Sequence, residues 1–351
     1  MSLPVDRLAE LNGRVADWYT ERLWADPEAV LYVRSRGISD ETARKWRLGL
    51  APRGGRELCQ ALAADGWGVE DLVEPGFVRQ GDRGVSDYFR HRLMFPILDT
   101  DGRRVLGFSG RDLGGRDDAP KYLGSPGTAL YRKRSTLYGA PNHIAIRQAE
   151  EALVVEGNVD MLAVYQSGHR NVVATCGTAL TGEHLATLGQ WTRRVTLALD
   201  SDEAGLAATR KAILSTEART LDVRVLPLVG DKDPASILLA DPAALDTMET
   251  VGRWDWLWQS YEREHERRVA KRSAPDGRTD RFLVLESVII WKDAWCSLVR
   301  DHMTDPVLAA SLLARAATAF GIRAEIVQAE FAPTLKARAP SILAAMDGWG
   351  G

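Results

Sequence analysis

Three segments decide the reading of this chain: Ala152-Leu-Val-Val-Glu156-Gly157-Asn158-Val159-Asp160, Val195-Thr-Leu-Ala-Leu-Asp200-Ser201-Asp202 and Val223-Arg-Val-Leu-Pro-Leu-Val-Gly230-Asp231-Lys232-Asp233-Pro234. Each begins with a short apolar run, partly β-branched and closed by turn residues, which reads as a buried strand of a parallel sheet. A stretch of helical character follows each, so the three read as β/α units in succession. Acids therefore collect at the carboxyl ends of the strands, where sheets of this kind bind ligands. Carboxylates gathered there repel one another, and a hard divalent cation relieves the repulsion. No His or Cys stands near, so oxygen-liganded Mg²⁺ or Mn²⁺ suits the donor set and zinc does not. Two such ions can activate a hydroxyl and steady the leaving oxygen of an in-line displacement, which makes this a site for phosphate chemistry.

Singly, Asp202 and Asp233 make good helix N-caps, with Pro234 suited to the first helical position. What carries the metal reading is the recurrence of acids at one topological position. Glu156 and Asp160, four residues apart, are expected on one helix face. A Walker A loop and a GxGxxG turn are both missing from these strand–helix junctions, which argues against a P-loop ATPase and a dinucleotide enzyme.

Upstream, residues 1–75 read as mainly helical, with Pro27 to Arg36 a helix closed by Gly37. Alternating segments then flank Asp99-Thr100-Asp101-Gly102, a hairpin signal, so residues 1–148 make an α+β part with a small antiparallel or mixed sheet. The α/β part spans 149–250, and 251–351 reads as a helical tail interrupted at Ser273–Gly277 and Asp305-Pro306. In that tail Trp254 and Trp258 are expected in the core. Between Arg79 and Arg134 stand twelve Lys/Arg against seven Asp, with Tyr88, Phe89, Phe108, Tyr122 and Tyr131 interleaved. Cations with flat rings between them suit the phosphates and bases of single-stranded nucleic acid.

The bulk properties add limits. The 351 residues allow two or three domains, and a net charge of −3 gives no global nucleic-acid signal. No apolar run is long enough to span a bilayer, and the N-terminus does not read as a signal peptide. Cys59, Cys176 and Cys296 are scattered without CxxC spacing, which points to a reducing compartment and away from a zinc ribbon.

These residues resemble the bacterial DnaG-type primases, in the RNA polymerase core that carries their Toprim fold. The acidic series is similar to that family's E-G-x-x-D, D-x-D and K-D-P elements. Phe89-Arg90-His-Arg92-Leu-Met94-Phe95-Pro96-Ile97 resembles F-R-x-R-x-M-F-P-I, Gly107-Phe108-Ser-Gly110-Arg111 resembles G-F-x-G-R, and Lys121-Tyr122-Leu-Gly-Ser125-Pro126 resembles K-Y-x-x-S-P. Gly177-Thr178-Ala179-Leu180-Thr181 with His184, and Tyr32-Val-Arg-Ser-Arg36-Gly37-Ile38, extend the likeness from about residue 15 to 250, with a family-like helical subdomain after it. Where many relatives carry a further Asp this chain has Ala235, and Tyr88 and Gly124 replace a common Arg and Asn.

The resemblance implies a DNA primase core that makes short RNA primers from NTPs on single-stranded DNA during replication. Glu156, Asp200 and Asp202 would be catalytic and hold two or more Mg²⁺ (or Mn²⁺) ions, with Asp160 and Asp233 completing the metal-binding set. Arg36, Arg90, Arg92, Arg111, Lys121, Tyr122 and Lys133 would meet template or nucleotide. Implied partners are the template, NTPs, the RNA–DNA hybrid product, a replicative helicase and a separate zinc-domain protein, in a bacterial cytoplasm with either a cellular or a phage gene. The family's zinc-binding and helicase-binding domains are expected to be absent, with no zinc in this chain. The alternatives are a Toprim nuclease sharing the acidic site and an inactive single-strand-binding subunit of a split primase.

Overall fold

The computed structural model describes residues 3–81, 84–114, 119–177, 179–215, 217–228 and 233–272, together with 295, 311, 312, 314–316, 318 and 319. The chain divides into two compact units, Met1–Val251 and Gly252–Gly351.

In the first unit, helix α1 (Val5–Ala25) buries Leu8, Leu11, Val15, Trp18, Tyr19 and Leu23, a spacing of three and four that turns one face to the core. α2 (Pro27–Ser35) opens on Asp26, whose carboxylate accepts from the Ala29 N–H at 3.0 Å, and the chain leaves it through Gly37 at a φ of +74°. α3 (Asp40–Lys45) is capped by Ser39. There follow β1 (Gly49–Ala51), α4 (Glu57–Ala64), α5 (Val69–Val73) and an antiparallel pair, β2 (Val78–Gly81) and β3 (Gly84–Asp87). β4 (Arg92–Leu98), β5 (Val105–Asp112) and β6 (Tyr122–Gly124) complete an antiparallel sheet of order β1-β4-β5-β6. The turn between β4 and β5 is the one the sequence signals. Asp99 Oδ1 accepts from the Arg103 and Arg104 N–H groups at 2.9 and 3.2 Å, and Gly102 takes a φ of +71°. Pro96 is tolerated in β4 because the β1 ladder stops at Met94, leaving that edge of the strand unpaired where proline sits.

α6 (His143–Ala149) leads into β7 (Glu151–Val155), α7 (Asn158–Gln166), β8 (Val172–Ala174), α8 (Gly182–Gly189), β9 (Arg194–Leu197), α9 (Glu203–Ile213), β10 (Asp222–Val225) and α10 (Pro234–Ala240). The four strands are parallel and lie in the order β10-β9-β7-β8. The acid-bearing units are therefore not successive: β8, three residues long and without an acid at its end, comes between the first two. It lies on one side of β7 and β9 on the other, so the strand order reverses between β7 and β9. The segment before α6 runs along the outer edge of β8. Tyr138 and Ala174 exchange both backbone hydrogen bonds (2.9 and 2.8 Å), and Asn142 Nδ2 donates to the Val172 carbonyl at 2.8 Å.

The two sheets share one core. Tyr138 meets Phe95 of β4 and Trp46, with ring centroids 6.1 and 5.6 Å apart, and Trp46 meets Tyr165 of α7 edge-on at 5.3 Å.

In the second unit, α11 (Arg253–Arg272) buries Trp256, Leu257 and Trp258 and leaves Trp254 partly exposed, so Trp256 takes the place expected for Trp254. Trp258 meets Trp295 edge-on at 4.9 Å, and Trp295 Nε1 donates to the Leu312 carbonyl at 3.3 Å. The interruptions expected at 273–277 and 305–306, and Cys296, lie outside the described residues.

Candidate active site

In a parallel sheet the loops leaving neighbouring strands part company where the strand order reverses, and the crevice between them admits a ligand. Here that crevice lies beyond the carboxyl ends of β7 and β9. Glu156 follows β7 directly, and its Oε1 accepts from the Asp200 N–H, just past β9, at 3.2 Å. Gly157 is the N-cap of α7, so Glu156 precedes the helix and does not share a helical face with Asp160. The two acids meet in the same cleft by another route. Asp160 Oδ2 accepts from the Gly157 N–H at 3.1 Å and Oδ1 from the Ala235 N–H at 3.2 Å, which ties the start of α7 to the start of α10. Asp202 and Asp233 cap α9 and α10, accepting from Gly205 N at 2.8 Å and Ser236 N at 2.7 Å. The capping role weighed for both is thus realised. Gly205 is there for space: a Cβ on it would stand 2.0 Å from the Asp200 carbonyl oxygen.

The acids strain one another electrostatically. Burial, reinforced by the charges of Asp233 and Asp200, pushes the Asp160 carboxyl up to about 7 against the pull of its two backbone donors. Burial and then Asp200 and Asp202 raise Glu156. Asp200 is raised by burial, Asp233 and Asp202, with the Lys121 ammonium opposing, and its Oδ1 is buried without a hydrogen-bond partner. Such a cluster is stabilised by a cation. Among the described residues no three side chains converge on one point as ligands. That is compatible with Mg²⁺, which keeps several waters and takes one or two carboxylates, and the all-oxygen donor set with its unpartnered Asp200 Oδ1 fits such an ion.

Arg36, Arg111, Lys121 and Tyr122 line the same cleft of about 250 Å³ as the acids. Arg36 stands at the C-terminus of α2, its guanidinium 5.0 Å from the centre of the Tyr32 ring. Arg111, near the end of β5, is half-buried. Its Nε donates to Tyr32 Oη and its Nη1 to Tyr122 Oη, both at 3.0 Å. A larger cavity of about 640 Å³ opens over α1, α2 and α4, but it holds none of the residues expected at the site. Two of its acids, Asp26 and Glu57, already accept backbone N–H groups.

Not every expected residue reaches the cleft. Arg90, Lys133 and Asp202 are exposed and stand outside its lining, Asp202 two residues beyond Asp200 at the start of α9. Arg92 is a correction: 1% exposed, it gives Nη1 to the Gly110 and Pro120 carbonyls at 3.0 and 2.9 Å, holding β5 to the segment before β6, and no phosphate can approach it. His184 is buried between Thr181 and the Lys133 carbonyl, so its motif serves as the start of α8. Thr178 and Lys232 lie outside the described residues. Ser236 and Leu239 line the cleft without having been foreseen, as do Ser35 and Gly177, which the sequence marked only as parts of family-like motifs. Tyr32 was missed as well, and its placement four residues before Arg36 was the available signal.

Residues 18–143 match the family model described as DNA primase catalytic core, N-terminal domain, and residues 153–238 match the Toprim-like model. The DNA primase of Clostridium acetobutylicum is 34% identical over 229 residues, 65% of this chain and 38% of that protein. A DNA primase domain from Pseudomonas aeruginosa, known as a crystal structure, is 30% identical with a TM-score of 0.74, over 91% of this chain and 98% of that one. The RNA polymerase domain of Mycobacterium tuberculosis primase DnaG, crystallised with a double-stranded DNA oligomer bearing a 6-nucleotide overhang, is 28% identical with a TM-score of 0.72, over 91% and 99%. The chain spans about two-fifths of the length of the curated relatives it matches.

Proposed function

Because this chain belongs to the DnaG-type DNA primase family, we propose that it is a primase catalytic core, joining ribonucleoside triphosphates into short RNA primers on single-stranded DNA with release of pyrophosphate. The observation that carries the proposal is the cleft at the reversal of strand order, lined together by the acids Glu156, Asp160 and Asp200 and the cations Arg36, Arg111 and Lys121. Glu156, Asp200 and Asp202 would hold Mg²⁺ or Mn²⁺, with Asp160 and Asp233 completing the acidic floor. Ions bound there would neutralise the acids and polarise the primer 3′-hydroxyl and the α-phosphate. Arg111 and Lys121 receive the triphosphate, whose charge they match, and Arg36 meets it from the end of α2. Tyr122 fixes Arg111 and closes one side. Arg90 and Lys133, exposed outside the cleft, are assigned to the template strand, where cations act on the backbone irrespective of sequence. Because phosphoryl transfer depends on positioning and charge, the chain's contribution is to hold acids and cations in place against each other.

In this proposal residues 1–148 carry the template ridge, 149–250 the catalytic part and 251–351 the helical subdomain. A replicative helicase and a separate zinc-domain protein are the partners expected, in a bacterial cytoplasm. The test is RNA synthesis on single-stranded DNA with labelled NTPs and Mg²⁺, wild type beside Asp200→Ala. Template-dependent RNA from the wild type alone supports the proposal. Absence of product even from a pre-annealed primer refutes it, and DNA cleavage without NTP dependence in the same reactions replaces it with a nuclease.

A further inference from the structure

Arg111 is a half-buried cation held by two phenols. Among the described residues no carboxylate pairs with it, and it donates to two phenol oxygens, Tyr32 Oη and Tyr122 Oη. A charge withdrawn from water without a counter-ion is costly, and among the described residues only the two phenols, with the Tyr122 ring 5.6 Å from the guanidinium, offset that cost. The geometry of those bonds limits what the guanidinium can do. Its five N–H donors lie in one plane, and fixing Nε and Nη1 sets both the position of the plane and its rotation. The three remaining N–H groups stay available to an anion in the cleft that Arg111 lines. Tyr32 does this from a helix that also ends in a cleft cation. Its ring lies under the Arg36 guanidinium one turn further along α2, at 5.0 Å.

We infer that Tyr32 is a positioning residue of the nucleotide site: its hydroxyl orients the Arg111 guanidinium, and its ring braces Arg36, so that both cations meet the triphosphate in a set arrangement. This rests on the assignment of the cleft to nucleoside triphosphate. Tyr32 touches neither the acids nor the reacting atoms, so its loss should weaken triphosphate binding and leave the chemical step nearly intact. Tyr32→Phe keeps the ring under Arg36 and removes only the bond to Arg111. Tyr32→Leu removes both.

The experiment is a calorimetric titration of the full chain with the α,β-methylene analogue of ATP and Mg²⁺, which reports binding whether or not the protein polymerises, alongside steady-state RNA synthesis. For Tyr32→Phe the expected result is about tenfold weaker binding, the loss of one hydrogen bond to a charged group, with KM for NTP raised in proportion and kcat within about twofold. In an Arg111→Lys background, which cannot make the same planar contacts, Tyr32→Phe should add less than about twofold, because the two changes disable one arrangement. Unchanged analogue affinity in Tyr32→Phe overturns the inference whatever RNA synthesis does, as does multiplicative loss in the double variant. Failure of the wild type to bind the analogue overturns it too. If the wild type binds the analogue, Tyr32→Phe weakens it and no RNA is made by either, Tyr32 keeps its role and the primase proposal is what falls.

Discussion

Replacing Asp160 by asparagine should make the metal-free protein more stable at neutral pH, by an amount that shrinks as the pH falls. Asp160 is 8% exposed, and burial together with the charges of Asp233 and Asp200 brings its folded carboxyl up to about 7. In an unfolded chain an aspartate titrates near about 3.9. A carboxyl raised on folding contributes stability that is fully present below the unfolded value and lost as the pH climbs through the folded one. With these two values the ionised group costs about 4 kcal/mol at about pH 7.5, of which about 2 kcal/mol has gone by about pH 5.5. The amide mimics the protonated acid. It carries no charge and offers one oxygen acceptor to the Gly157 and Ala235 N–H groups that the carboxylate receives with two. Charge relief therefore favours Asp160→Asn by about 4 kcal/mol at about pH 7.5 and about 2 kcal/mol at about pH 5.5. Against this stands a pH-independent cost of about 1–3 kcal/mol for the backbone N–H left without an acceptor. The advantage should thus fall by about 2 kcal/mol between these pH values in urea unfolding with EDTA present. A difference that is the same at both pH values would show that the surroundings do not raise the Asp160 carboxyl on folding.

Other perturbations separate architecture from chemistry. Gly205→Ala forces a methyl against the Asp200 carbonyl and should lower stability by about 1–3 kcal/mol while disordering Asp200, a result checked by urea unfolding beside RNA synthesis. Arg92→Met removes the donor that the Gly110 and Pro120 carbonyls share and should cost about 2–4 kcal/mol, yet the salt dependence of DNA binding should not change, since Arg92 reaches no phosphate. Asp200→Ala should abolish RNA synthesis with DNA affinity retained in filter binding; parallel loss of both would remove Asp200 from the chemistry. Mg²⁺ at about a hundred times its Kd should stabilise the wild type by about 2.7 kcal/mol and Glu156→Gln by much less, as read from Tm against metal concentration.

Local chemistry was legible in the sequence, and arrangement over distance was not. The strand ends carrying Glu156 and Asp200 could be read because apolar runs and turn residues are neighbours in the chain, and Asp99–Gly102 announced its turn for the same reason. The acid of the third unit was also visible, although β10 itself ends at Val225, well before Asp233. The reversal of strand order between β7 and β9 was invisible, because pairing partners more than forty residues apart leave no local trace. β8 escaped because three residues give too little periodicity and no acid marks its end. Arg92 was misassigned because a buried arginine that satisfies carbonyls looks, in one dimension, like an arginine that awaits phosphate. The part of Tyr32 depends on β5 bringing Arg111 to α2, 79 positions away along the chain.

The parallel sheet has one border that is already sealed. Strands at the rim of a sheet offer unpaired amide groups to any other extended chain, and proteins must blunt that invitation. Along β8 the Val172 carbonyl and both peptide groups of Ala174 are taken by the side chain of Asn142 and the backbone of Tyr138. A foreign strand seeking to join there would first have to peel away residues 138–142, whose Tyr138 ring is packed in the common core. Self-association by strand addition is blocked on that border by the chain's own connecting segment, and a protein that binds by donating a strand must look for another edge.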